Sequence, residues 1–116
     1  MRDGKGKQLI VKARSYESTV KTFQRVPDVL KIDIEGLEVE FLVNLAKSPE
    51  IMPPVINVDM DSICCCMAAD GVGCSELSKL GWQAIKAMKD AGYSVVGDNS
   101  SWVADVTFYL EAKILP

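Results

Sequence analysis

Two close pairs of carboxylates are the residues best suited to chemistry: Asp33 with Glu35, and Asp59 with Asp61. Each pair falls at the end of a short apolar run, residues 29–34 for the first and 55–60 for the second. Oxygen ligands of this kind suit a hard divalent cation such as Mg2+, and Asp33, Asp59 and Asp61 are the candidates to hold one. A carboxylate can equally act as general base toward a hydroxyl; Asp33 and Glu35 are the candidates for that role. Structural uses compete. Asp33 can cap the following helix, whose positive N-terminus favours carboxylates, and Glu35-Gly36 can simply make a turn. Lys31 lies inside the apolar run. It either pairs with a rim carboxylate or lays its stem along a sheet with the amine in water, and the second is the expectation.

The other reactive types offer less. Cys64, Cys65 and Cys66 are consecutive and Cys74 follows, which suits neither a disulfide framework nor paired C-x-x-C zinc ligation. They read as small thiols in a reducing compartment. The chain has no histidine, so no Ser-His or Cys-His nucleophilic pair exists within it. Trp82 and Trp102 read as packing residues, although the Ser100-Ser101-Trp102 loop can lie near a substrate mouth.

Placing the carboxylates requires strands. Residues 29–34 form a compact apolar run ahead of Gly36, the pattern of a buried parallel strand. Leu37, Phe41, Leu42 and Leu45 then recur at helical spacing over residues 37–46. After Pro53-Pro54, residues 55–60 make a second strand, predicted to lie parallel to the first with the helix crossing between them. Residues 61–73 read as a loop. A helix over 76–91 follows, with Ser75 as N-cap, a stripe of Leu77, Leu80, Ala84, Ile85, Met88 and Ala91, and Gly92 closing it. Strands at 94–96 and 105–112 form a closing antiparallel hairpin at one edge. Earlier, residues 8–13 can be a short strand, and 16–25 is ambiguous, with Val20 and Phe23 spaced as on a helix that Pro27 stops. The order is an α/β one with a mainly parallel sheet. Ligands of such sheets bind outside the carboxyl ends of the strands, where all four carboxylates would converge.

Length and composition bound the rest. The 116 residues make one domain, 1–116, long enough to hide roughly two-thirds of the unfolded surface. A net charge of -3 argues against nucleic acid, which needs a basic footprint. No apolar run reaches the ~18 residues of a membrane span, and no apolar signal core follows the charged start. The expectation is a cytoplasmic protein.

The segment Val29-Leu30-Lys31-Ile32-Asp33-Ile34-Glu35-Gly36-Leu37-Glu38-Val39-Glu40-Phe41-Leu42 resembles the LKIDIEGxExxxL signature of FkbM-type S-adenosylmethionine-dependent methyltransferases. In that family it forms the fourth strand of the class I, Rossmann-like sheet and the start of the next helix. Pro54-Val55-Ile56-Asn57-Val58-Asp59 is similar to the fifth strand, where the family more often has Glu than Asp59. Lys89-Asp90-Ala91-Gly92-Tyr93 resembles the approach to the sixth strand, and Val106-Thr107-Phe108 lies in what resembles the closing strands. The resemblance covers residues 18–112. It implies O-methyl transfer to a small-molecule acceptor, with S-adenosylmethionine as cofactor and Asp33 and Glu35 near the acceptor. It also implies a glycine-rich cofactor loop after a first strand, whereas Gly4 and Gly6 precede any credible strand. The expectation is therefore a truncated form, the C-terminal half of the fold, without its own cofactor-binding loop. A class I sheet sets its first strand beside the fourth, so residues 29–34 are expected to present a bare edge, covered by residues 8–13 or by a second copy in a homodimer, the latter preferred. Two other functions fit the same residues: a non-catalytic α/β interaction module and a small divalent-cation-binding domain.

Overall fold

The computed structural model describes residues 6–34, 36–60, 76–97 and 105–114. Ser15 opens the first helix by accepting a hydrogen bond from the Ser18 N–H at 3.0 Å, and α1 runs Tyr16–Phe23. Gln24 ends it in the left-handed conformation, φ 53°, three residues ahead of Pro27. Strand β1 follows at Val29–Ile32 and helix α2 at Glu38–Leu45. A single 3-10 turn at Pro49–Ile51, which hydrophobic periodicity does not signal, leads into β2 at Val55–Asp59. Helix α3 is Glu76–Asp90, and β3 (Ser94–Gly97), β4 (Asp105–Tyr109) and a one-turn helix α4 (Glu111–Ile114) complete the elements among the described residues.

The α3 terminus shows how sequence sets a boundary. Gly92 has φ +110°, a conformation that costs L-residues steric strain. The Tyr93 N–H donates to Met88 O at 3.1 Å and the Gly92 N–H to Lys89 O at 3.0 Å, the paired bonds of a Schellman stop. Tyr93 then folds into the core and starts β3.

The sheet order is β1-β2-β4-β3. β1 and β2 are parallel, with Val29 opposite Val55 and Ile32 opposite Val58, as expected of a strand–helix–strand crossover. β2 pairs antiparallel with β4, and β4 antiparallel with β3. The fold is mixed α/β, but the expectation of a mainly parallel sheet is corrected: one of the three pairings among the described residues is parallel. The closing hairpin lies at one edge of the sheet, as expected, with β3 outermost. Its returning strand β4 fills the position between β2 and β3 and satisfies backbone groups of both.

One face of this sheet carries the core. Ile32, Ile56, Val58, Val106 and Phe108 alternate inward and meet Leu42 and Leu45 of α2 and Ala84, Ile85 and Met88 of α3. Phe108, Leu42, Ile56, Met60, Met88 and Val58 are among the largest fully buried side chains. Leu80, expected in the α3 stripe, is exposed, while Gly81 is buried. The segment 51–53 is tied down by side chains from three elements. Tyr16 Oη donates to Ile51 O at 2.7 Å, Lys113 Nζ to Met52 O at 2.7 Å, and Tyr93 Oη to Pro53 O at 2.6 Å. Desolvation by burial pushes the Tyr16 hydroxyl up to about 12 and also raises that of Tyr93, which Tyr16 raises further.

Two other expectations change. Residues 8–13 form no strand and are exposed. The last strand stops at Tyr109 rather than 112: the Leu110 N–H turns to Pro54 O at 2.9 Å and α4 begins.

Candidate functional site

The acidic rim is built by the parallel pair. Register sets Ile32 opposite Val58; Asp33 follows β1 and Asp59 ends β2, so both lie at the carboxyl ends of the parallel pair. Asp33 is exposed and Asp59 half-buried. β4 adds a residue that sequence reading missed, since Asp105 pairs directly with Asp59. An edge hairpin can set either of its strands against β2, and here the inner one is β4, which carries Asp105. Glu35, Asp61, the four cysteines, Ser75 and the Ser100-Ser101-Trp102 loop lie outside the described residues. Trp82 is half-buried against the core, as a packing residue should be.

Asp33 does not cap α2. The helix has Leu37 as its N-cap with no side-chain cap bond. The carboxylate that organises this turn belongs to Glu38, whose position in the signature carried no assigned role. Glu38 is 4% exposed, the one buried charged residue among those described. Its Oε1 accepts from the Ile34 N–H at 2.9 Å and its Oε2 from the Gly36 N–H at 2.8 Å. Gly36 itself takes φ +109°, open to glycine and strained for other residues. The turn after β1 is thus clamped from below by one carboxylate while Asp33 faces water.

Lys31 departs from the expectation of a free amine. Strand register puts it opposite Asn57, and its Nζ donates to Asn57 Oδ1 at 2.6 Å while lying 3.8 Å from Asp105. Asn57 Nδ2 in turn donates to Thr107 Oγ1 at 3.0 Å. A polar ladder therefore crosses three strands on the face opposite the helices. The ion pair is more than half exposed on both sides, so it contributes little to stability.

No group of three or more His, Cys, Asp or Glu among the described residues is placed to hold a metal ion. Two apolar-lined grooves exist elsewhere. One of about 430 Å³ runs between α1 and the start of β1, past Val20, Phe23 and Leu30. The other, about 590 Å³, lies between α1 and α2, bounded by Arg14, Tyr16, Ile34, Phe41 and Asn44. Neither includes Asp33 or Asp59 in its lining. No described helix is long and apolar enough to cross a membrane.

Comparison of the chain with family models, curated proteins and solved structures returned no match.

Proposed function

We propose that this chain is a methyltransferase-type α/β domain of the FkbM kind, Rossmann-like in the arrangement of its sheet, and serves O-methyl transfer to a small-molecule hydroxyl. The observation that carries the reading is the signature block joined to its topology. The segment running from Val29 into α2 forms a strand, a clamped glycine turn and a helix that returns the chain to a parallel neighbour. The closing strands then enter antiparallel. In this reading the exposed Asp33 carboxylate, with Glu35 beside it in sequence, takes the proton of the acceptor hydroxyl. Its position outside the carboxyl end of a strand is where α/β sheets bind ligands.

Calorimetry with S-adenosylhomocysteine tests the proposal. Micromolar affinity would support methyl transfer by this chain. Silence at millimolar concentration would leave a non-catalytic α/β interaction module instead. A separate titration of Mg2+ or Mn2+ against melting temperature addresses the cation-binding alternative, since a bound ion raises stability by RT ln(1 + [L]/Kd).

A further inference from the structure

A bare sheet edge and a bare apolar arm belong to the same molecule. β1 ends the sheet, so its outer backbone groups have no strand partner among the described residues. Proteins normally blunt such edges with charge, proline, a bulge or a cover. The only charge within β1 is Lys31, and that side chain is drawn away from the edge, across the sheet onto Asn57 and toward Asp105. Val29 remains 62% exposed. In the arm, Leu9, Ile10 and Val11 are 85%, 100% and 78% exposed. Ile and Val favour strands, yet residues 8–13 join none.

Charge and anchoring favour bringing the two together. The arm carries Lys7, Lys12 and Arg14 and no acid, whereas the exposed Asp33 follows β1 and Asp28, paired with Arg25 at 3.0 Å, precedes it. The arm leaves from a fixed point, because Tyr16 is held by its bond to Ile51 O and by a T-shaped contact with Phe41 at 5.7 Å. We propose that residues 8–13 of one copy add as an outer strand to β1 of a second copy, reciprocally about a two-fold axis. In the single chain the arm stays off its own β1 and both surfaces remain open. Reciprocal exchange closes both edges with one contact made twice, as two-fold interfaces do, and gains backbone hydrogen bonds by strand addition. The inference is independent of the methyltransferase reading.

Light scattering on the full chain, with two proline variants, tests it. Successive N–H groups of a strand point to opposite sides, so of Ile10→Pro and Val11→Pro at least one removes a donor facing β1. Both positions are exposed, so neither variant disturbs the core. At micromolar concentration the parent should show twice the 12.7 kDa chain mass, and at least one variant should halve it with an unchanged far-UV spectrum. Amide exchange should show the arm and β1 protected in the parent and unprotected in that variant. A parent that stays a folded monomer overturns the proposal, and protection of the arm in that monomer would show closure onto its own β1. A dimer that survives both prolines places the interface elsewhere, and larger assemblies rule out two-fold closure.

Discussion

Removing the Glu38 carboxylate should destabilise the fold out of proportion to the size of the change. Its two oxygens accept from Ile34 and Gly36 at 2.9 and 2.8 Å, with the residue 4% exposed. Hydrogen bonds to a charged acceptor contribute about 1.5–3 kcal/mol each. Ile34 and Gly36 are both exposed, so water can replace part of what each N–H loses, and the lower end applies to both bonds. Glu38→Ala is therefore expected to cost about 3 kcal/mol. Glu38→Gln keeps one acceptor oxygen but turns an amide NH2 toward the second donor, for about 1–2 kcal/mol. Against a total of about 5–15 kcal/mol for a domain, either loss is measurable. Urea titration reads it directly through the midpoint at constant slope. Amide exchange at Ile34 and Gly36 should accelerate in both variants while the β2 and β4 amides keep their order. If Glu38→Gln lies within about 0.5 kcal/mol of the parent, the range of an ordinary surface substitution, the clamp is not what holds the turn.

Two more outcomes follow from the core. The neutral forms of Tyr16 and Tyr93 are favoured by burial, so the folded state holds these protons to higher pH than the unfolded chain does. Their contribution to stability is complete below the ordinary value of about 10 and declines as pH rises through the interval up to about 12. Urea midpoints measured at stepwise higher pH should fall across that window, and Tyr93→Phe should flatten the fall; a parent midpoint constant there would contradict it. Phe108 is fully buried, with its ring 6.1 Å from that of Tyr93 in a T-shaped contact, so Phe108→Ala should cost about 3–5 kcal/mol by the same titration.

What the sequence disclosed is what local pattern controls. The strand–turn–helix at residues 29–45 was legible because a compact apolar run, a glycine and an i, i+4 stripe occur in succession. The same holds for Gly92, whose place after a helical stripe needs only local geometry. The position of β4 was not legible. Alternation in residues 105–109 marks a strand with one buried face, but both β2 and β3 present matching apolar rows, Ile56 and Val58 or Val95. Nothing in the order of residues says which neighbour an antiparallel return will choose. Asp105 and the Lys31–Asn57–Thr107 ladder were missed for that reason, since they exist only once β4 lies against β2. The arm fails in the opposite way. Residues 8–13 carry strand-favouring types, yet a strand is a pairing, and propensity without a partner leaves an exposed coil.

The turn after β1 shows how one signature separates two uses of the same chemical group. Spacing alone could not rank its acidic residues, because Asp33, Glu35 and Glu38 all lie within one turn of the boundary between strand and helix. Burial ranks two of them. Glu38 is the first residue of α2, so its side chain can reach back under the loop to the N–H groups of Ile34 and Gly36. Once those donors are taken, Asp33 has no capping duty, and it is left in water at the strand end. A free carboxylate on a fixed turn is what a base requires, since its geometry is set before any ligand arrives. Asp33→Asn should therefore leave the urea midpoint almost unchanged, in contrast to Glu38→Gln. A loss of about 1 kcal/mol or more at Asp33 would mean that it, too, serves the fold, and would remove the reason for assigning it to the acceptor.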